Sequence, residues 1–133
     1  DVTEIDLSYE FFRSLKPEGA PDLARFEQAP PDPVAGEKVF ATACTACHGL
    51  DQGRVGPPLR GVFGHEAGTA PGFPYSPALA HAGVTWNAET LNKWLSGPQA
   101  FIAGAQMPMG LPDPLRRRDV IAYLKSLSQQ AGR

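Results

Sequence analysis

Cysteine is scarce in this chain: two residues in 133, both inside one five-residue stretch, alongside only three histidines. So few thiols and imidazoles fit a four-ligand zinc centre poorly. Their confinement to one place says little about redox compartment. No apolar run approaches the roughly eighteen residues of a membrane span. Nothing in the chain reads as a convincing strand, so a sheet-based fold is not expected. Charge of one sign is lacking too: the net charge is −2, and no continuous basic face is visible, which argues against nucleic acid. The one basic run, Arg116-Arg117-Arg118, reads as a solvated helix face. No nucleophilic triad, phosphate-binding loop or carboxylate pair stands out, so the chain does not read as an enzyme in its own right. No signal peptide precedes Asp1, and the expectation is a mature or trimmed form. A length of 133 residues leaves room for one core only.

What is abundant is equally informative. Fourteen prolines and fourteen glycines predict short helices joined by structured turns. The charge is unevenly distributed: residues 1–37 carry −6 and residues 38–133 carry +4. Residues 1–33 read as an N-terminal extension to a domain spanning 34–133. Within the extension Leu7, Phe11 and Leu15 recur at helical spacing, with Phe12 beside them. Lys16-Pro17-Glu18-Gly19 ends that pattern, and Pro30, Pro31 and Pro33 form a stiff lead-in. Tyr9, Phe11 and Phe12 are costly to expose, so the segment is expected to pack on the core rather than serve as a bare linker.

Cys44-Thr45-Ala46-Cys47-His48 carries the chemistry. Two thiols at i and i+3 on the first turn of a helix lie on one side and can each add to a vinyl group of a haem. The adjacent His48 then supplies the iron's proximal nitrogen. Three other readings compete. A disulfide between Cys44 and Cys47 closes a loop too short to stabilise much. A thioredoxin-type pair follows a strand, and none precedes Cys44. Zinc would need the awkward neighbours Cys47 and His48 together with further ligands. The motif favours haem without eliminating these, and the remaining sequence has to decide.

Helices are predicted from Asp32-Pro33 through Phe40 into the motif, from Asn87 to Ser96 with Gly97-Pro98 as a stop, and from Asp113-Pro114 onward. The apolar positions Leu91, Trp94 and Leu95, and then Val120, Ile121, Tyr123, Leu124 and Leu127, recur at helical spacing. Residues 49–85 read as loop, a length that needs something large to organise it. The fold class is all-α.

Taken in order, these markers resemble a class I cytochrome c of the mitochondrial and purple-bacterial type. They are Gly36 and Phe40, the haem motif, Gly56-Pro57, Gly61-Val62-Phe63-Gly64, Ala70 to Ser76, Thr85-Trp86, Glu89-Thr90-Leu91, Met107, and Asp119 to Lys125. The likeness runs from Asp32 to Gln129. It implies the cytochrome c fold around one covalent haem c, held by Cys44 and Cys47, with His48 and Met107 as axial ligands. In the family the thioether ligand follows a glycine by three residues, as Met107 follows Gly104; Met109 is the rival. A thioether ligand implies a positive potential. Pro57 would accept a hydrogen bond from His48, Tyr75 and Trp86 would donate to a propionate, and Gly36 would let the first and last helices cross closely, with Phe40 near Val120 and Tyr123.

Departures from the family are expected to matter. His65 stands where relatives carry arginine near the propionates, so potential and pH are expected to be coupled there, unless it is only an exposed loop histidine. His81 is expected on the surface. Trp94 replaces a tyrosine that reaches toward the distal sulfur; an indole donates but does not accept, which implies a drier pocket. Ala105 and Gln106 replace residues that are often threonine and lysine, and Gln99 and Ala100 replace lysines. Phe101, Ile102, Ala103, Gln106 and Met109 are expected to form an apolar rim, with reaction depending weakly on salt. The resemblance implies a one-electron carrier in a respiratory or photosynthetic chain, monomeric and periplasmic rather than mitochondrial. Its partners would be redox proteins such as a quinol-oxidising complex, a terminal oxidase or a dehydrogenase. The alternatives are a cytochrome subunit of a larger oxidoreductase and, less favoured because of Met107, a haem gas sensor or peroxidase.

Overall fold

The computed structural model describes residues 30–131, and the described residues from Pro31 onward form one compact unit. The helix and the packing expected for the N-terminal extension lie outside the described residues. Among the described residues five helices follow in order: α1 (Pro33–Ala43), α2 (Pro77–Ala80), α3 (Ala88–Ser96), α4 (Pro98–Phe101) and α5 (Pro114–Ala131). Among the described residues the only β-type pairing is a single antiparallel bridge between Glu66 and Thr85. The chain is therefore all-α, as its patterning predicts.

All the described helices but α4 begin where the sequence supplies a side-chain cap. Asp32 Oδ1 accepts from the Val34 and Ala35 N–H groups at 2.9 and 3.2 Å, ahead of Pro33 at N1. These donors have no partner inside the helix, so the carboxylate satisfies them and complements the positive end of the dipole. Asn87 and Thr90 form a reciprocal capping box on α3, at 2.8 and 2.9 Å. Asp113 Oδ1 accepts from the Leu115 N–H at 2.9 Å and opens α5.

One detail differs from the sequence expectation. Residues 49–85 are not all loop, because Ser76 caps the four-residue α2. Gly97-Pro98 stops α3 at Ser96 as expected, and because proline at N1 is compatible with a fresh turn, α4 starts at once.

α1 lies across α5, which also packs against α3. The crossing is close because Gly36 has no side chain. A Cβ there would stand 2.5 Å from the Asp119 carbonyl carbon and 2.9 Å from Tyr123 Cβ. The Asp32 N–H also donates to Asp119 Oδ1 at 3.0 Å, tying the start of α1 to α5 through a carboxylate only 8% exposed. Phe40 and Tyr123 pack with ring centroids 5.6 Å apart. Val39 and Phe40 from α1, Leu91, Trp94 and Leu95 from α3, and Val120, Ile121, Leu124 and Leu127 from α5 build the core. Burial of each such large side chain contributes at most about 1.5–3 kcal/mol.

The arginine run is not simply a solvated face. Arg117 donates through Nε to Asn92 Oδ1 at 2.9 Å and through one terminal nitrogen to the Leu111 and Pro112 carbonyls at 2.8 and 2.7 Å. It thus fastens the segment before α5 to α3, a task for which its forked donors suit it.

Candidate functional site

The cysteine motif does not occupy the first turn of a helix. α1 ends at Ala43, Cys44 is its C-cap, and residues 44–47 continue as turns. The spacing survives because the chain keeps helix-like bonds beyond the cap: Cys44 N–H to Phe40 O at 3.0 Å and His48 N–H to Cys44 O at 2.9 Å. Both thiols are free and half-buried. Burial pushes the Cys44 thiol up to about 11, with the positive charge of Arg116 opposing it. Arg54, whose role the sequence reading missed, donates to the Thr45 carbonyl at 2.8 Å and ties the following loop back over the motif.

His48 Nδ1 lies 2.8 Å from the Pro57 carbonyl oxygen. That bond fixes Nδ1 as the protonated nitrogen and leaves Nε2 with its lone pair, the form in which imidazole binds a metal. Burial lowers the basicity of His48, and the bond to Pro57 works the other way. Gly56 makes this arrangement possible. A Cβ at that position would stand 2.7 and 2.8 Å from the two ring nitrogens of His48. In the sequence Gly56 marks a turn and the family; its place directly before the proline that receives the imidazole is the one signal of this further role.

Cys44, Cys47, His48, Pro57, His65, Tyr75, Trp86, Trp94 and Met107 all line one cavity of about 400 Å³. Every site residue expected from the sequence is thus brought together in one place. The volume lies in the range of cofactor sites, roughly 300–1,000 Å³. Trp86 and Trp94 meet edge to face, with centroids 5.4 Å apart, and both are buried. Tyr75 packs edge-on against Phe73 at 4.9 Å, and its oxygen accepts from the Ala70 N–H at 3.1 Å. The phenolic proton therefore remains available for donation. His65 Nδ1 is buried without a hydrogen-bond partner, an arrangement that is costly unless another polar group meets it. Met107 is half-buried and packs on the core, whereas Met109 is 67% exposed. His81 is exposed.

One expectation fails at the rim. Ile102 is a core residue, 9% exposed, and Phe101 is half-buried against that core. The short helix α4 turns them inward, which leaves Ala103, Gln106 and Met109 outside.

These residues fit a covalent haem c. Two free thiols, an imidazole with one nitrogen committed to backbone, an apolar cavity and an unpartnered buried nitrogen at its wall suit a large apolar ring with polar edges. Among the described residues, no three of histidine, cysteine, aspartate and glutamate come together as a metal cluster, so the zinc reading finds no support.

Comparison with known proteins agrees. The family model described as cytochrome c matches residues 33–128. Cytochrome c of Ginkgo biloba is 42% identical over 112 residues, covering 80% of this chain and 99% of that protein. Cytochrome c2 of Rhodopila globiformis is 45% identical, covering 74% and 97%. The solved structure of cytochrome cH from Methylobacterium extorquens superposes with a TM-score of 0.68 at 44% identity, covering 71% of this chain and 98% of that one. Fold, motif and relatives together make this chain a haem-based electron carrier rather than an enzyme, with one haem c held through Cys44 and Cys47: it belongs to the cytochrome c family.

Proposed function

We propose that the chain is a one-electron carrier of a respiratory or photosynthetic chain, with His48 and Met107 as the axial ligands of its haem iron. The bound haem supplies the Fe(III)/Fe(II) couple. Everything else is the work of the chain. The observation that carries the ligand pair is that His48 and Met107 line one cavity, with His48 Nδ1 held by the Pro57 carbonyl and Met107 packed on the core. Met109, at 67% exposed, is poorly placed for that role.

The supporting residues have separable tasks. Pro57 orients the imidazole and strengthens it as a ligand. Tyr75 and Trp86 offer an O–H and an N–H to a propionate, whose charge needs donors in an apolar surrounding. Trp86 and Trp94 exclude water from the wall they share, which favours the less charged ferrous state. Residues 34–133 are the haem domain and residues 1–33 an extension to it.

We place the carrier in the periplasm, because covalent haem attachment is a feature of cytochromes matured outside the bacterial cytoplasm. It would act there as a monomer between a quinol-oxidising complex and a terminal oxidase or dehydrogenase. No helix among the described residues is long and apolar enough to cross a membrane.

The test is the visible spectrum of the reduced holoprotein before and after addition of carbon monoxide. A low-spin spectrum unmoved by the gas is expected. Rapid conversion to a carbonyl form would overturn the His48–Met107 assignment and favour a gas sensor or peroxidase.

A further inference from the structure

Residues 49–60 form a loop that is closed at its base and hooked at its tip. At the base the Leu59 and Arg60 N–H groups donate to the Gly49 and Leu50 carbonyls, each at 3.0 Å. There the Arg60 guanidinium also holds the Asp51 carboxylate at 2.6 and 3.1 Å. At the tip the Arg54 guanidinium donates to the Thr45 carbonyl at 2.8 Å. The Gly56 N–H donates to the Cys47 carbonyl at 2.8 Å, and the Arg54 N–H to the Gly56 carbonyl at 2.9 Å. The next residue is Pro57, whose carbonyl meets His48 Nδ1 at 2.8 Å.

The far end of this hook is firmly held. Thr45 donates its N–H to the Phe40 carbonyl at 3.2 Å and its hydroxyl to the Ala41 carbonyl at 2.7 Å. The oxygen that Arg54 grips is therefore fastened to the last turn of α1. The loop is also backed on its other side. A Cβ at Gly53 would stand 2.8 Å from Phe73 Cδ2, so the backbone beside Arg54 lies directly on that ring. A guanidinium bond to a carbonyl is charge-assisted and stronger than a neutral one, which suits it to fix a short stretch of chain.

We propose that Arg54 is a positioning residue for the proximal ligand: by hooking residues 54–56 onto the end of α1, its side chain holds the Pro57 carbonyl against His48 Nδ1. The role rests on the reading of His48 as an axial ligand and adds the side chain that keeps its partner in place. An imidazole held in this way is a better donor to the iron. Without the hook the Gly56 bond to Cys47 remains, but the Pro57 carbonyl gains freedom to draw back from the ring. The loss is local and partial.

Arg54→Met keeps the reach of the side chain and removes its donors, whereas Arg54→Lys keeps a charged donor. Hydrogen exchange at His48 Nδ1, followed by NMR in the ferrous full-length holoprotein, reads the bond to Pro57 directly. In Arg54→Met the Nδ1–H and the Gly56 N–H should exchange about threefold to tenfold faster. The Gly36 N–H, bonded to the Asp32 carbonyl at 2.9 Å near the α1–α5 crossing, should exchange as before. Arg54→Lys should restore most of the protection.

Unchanged Nδ1–H exchange in Arg54→Met would overturn the proposal, as would failure of Arg54→Lys to restore it. Equal acceleration at all three protons would also overturn it, because Arg54 would then support the fold as a whole. The ferric protein tests the underlying reading separately. An iron-bound His48 ring gives hyperfine-shifted resonances, and their absence from the unsubstituted chain would sink the ligand assignment whatever Arg54 does.

Discussion

Replacing Gly56 by alanine is the sharpest test of how the chain holds its imidazole. The new Cβ would meet the His48 ring, 2.7 Å from Nδ1 and 2.8 Å from Nε2, well inside van der Waals contact. The backbone at this point has little freedom to retreat. The Gly56 N–H donates to the Cys47 carbonyl at 2.8 Å, and the Gly56 carbonyl accepts from Arg54 N–H at 2.9 Å. The ring must therefore swing, and its 2.8 Å bond to Pro57 is lost or lengthened. Overpacking of this kind costs about 1–3 kcal/mol, and the lost hydrogen bond adds about 0.5–1.5 kcal/mol. Together these give roughly 2–4 kcal/mol, which in a domain near 100 residues lowers Tm by roughly 10–30 °C.

Gly36→Ala is the matched control. Its Cβ meets the Asp119 carbonyl carbon at 2.5 Å and Tyr123 Cβ at 2.9 Å, a comparable penalty placed at the α1–α5 crossing. Both variants should melt early in a thermal scan of the holoprotein. Only Gly56→Ala should also shift the visible spectrum and the midpoint potential, because only it disturbs His48. A Gly56→Ala protein with unchanged melting and spectrum would refute the argument.

Other expectations are narrower. His65→Arg places a permanent cation at the cavity wall, where a buried imidazole nitrogen now lacks a partner; the added positive charge disfavours ferric iron, so the midpoint potential should rise, as spectroelectrochemistry can read. Asp32→Ala removes the acceptor for the Val34 and Ala35 N–H groups and should cost about 0.5–2 kcal/mol in a chemical melt, with no change in potential. Asp51→Asn breaks an exposed pair with Arg60 and should shift Tm by no more than a degree or two.

How much of this was legible in the sequence depends on which physics decides each feature. Capping is local, so Asp32, Asn87 and Asp113 marked their helices correctly: the side chain that satisfies the first free N–H groups lies within three residues of them. The cavity residues were legible for another reason. The haem motif and Met107 stand at spacings characteristic of a family, and a shared cavity then needs only the family fold. What local pattern misread was decided over distance. Ile102 looked like part of an apolar rim beside Phe101 and Ala103, yet the turn of α4 points it into the core. Arg117 looked solvated, but its forked donors find Asn92, which is 25 residues away in sequence, and the Leu111 and Pro112 carbonyls. The cysteine motif looked like the start of a helix, although its i to i+3 geometry is equally available to the turn that leaves one. Gly56 shows the same limit from the other side: glycine followed by proline announces a turn, and only the folded chain reveals that the missing side chain makes room for an imidazole.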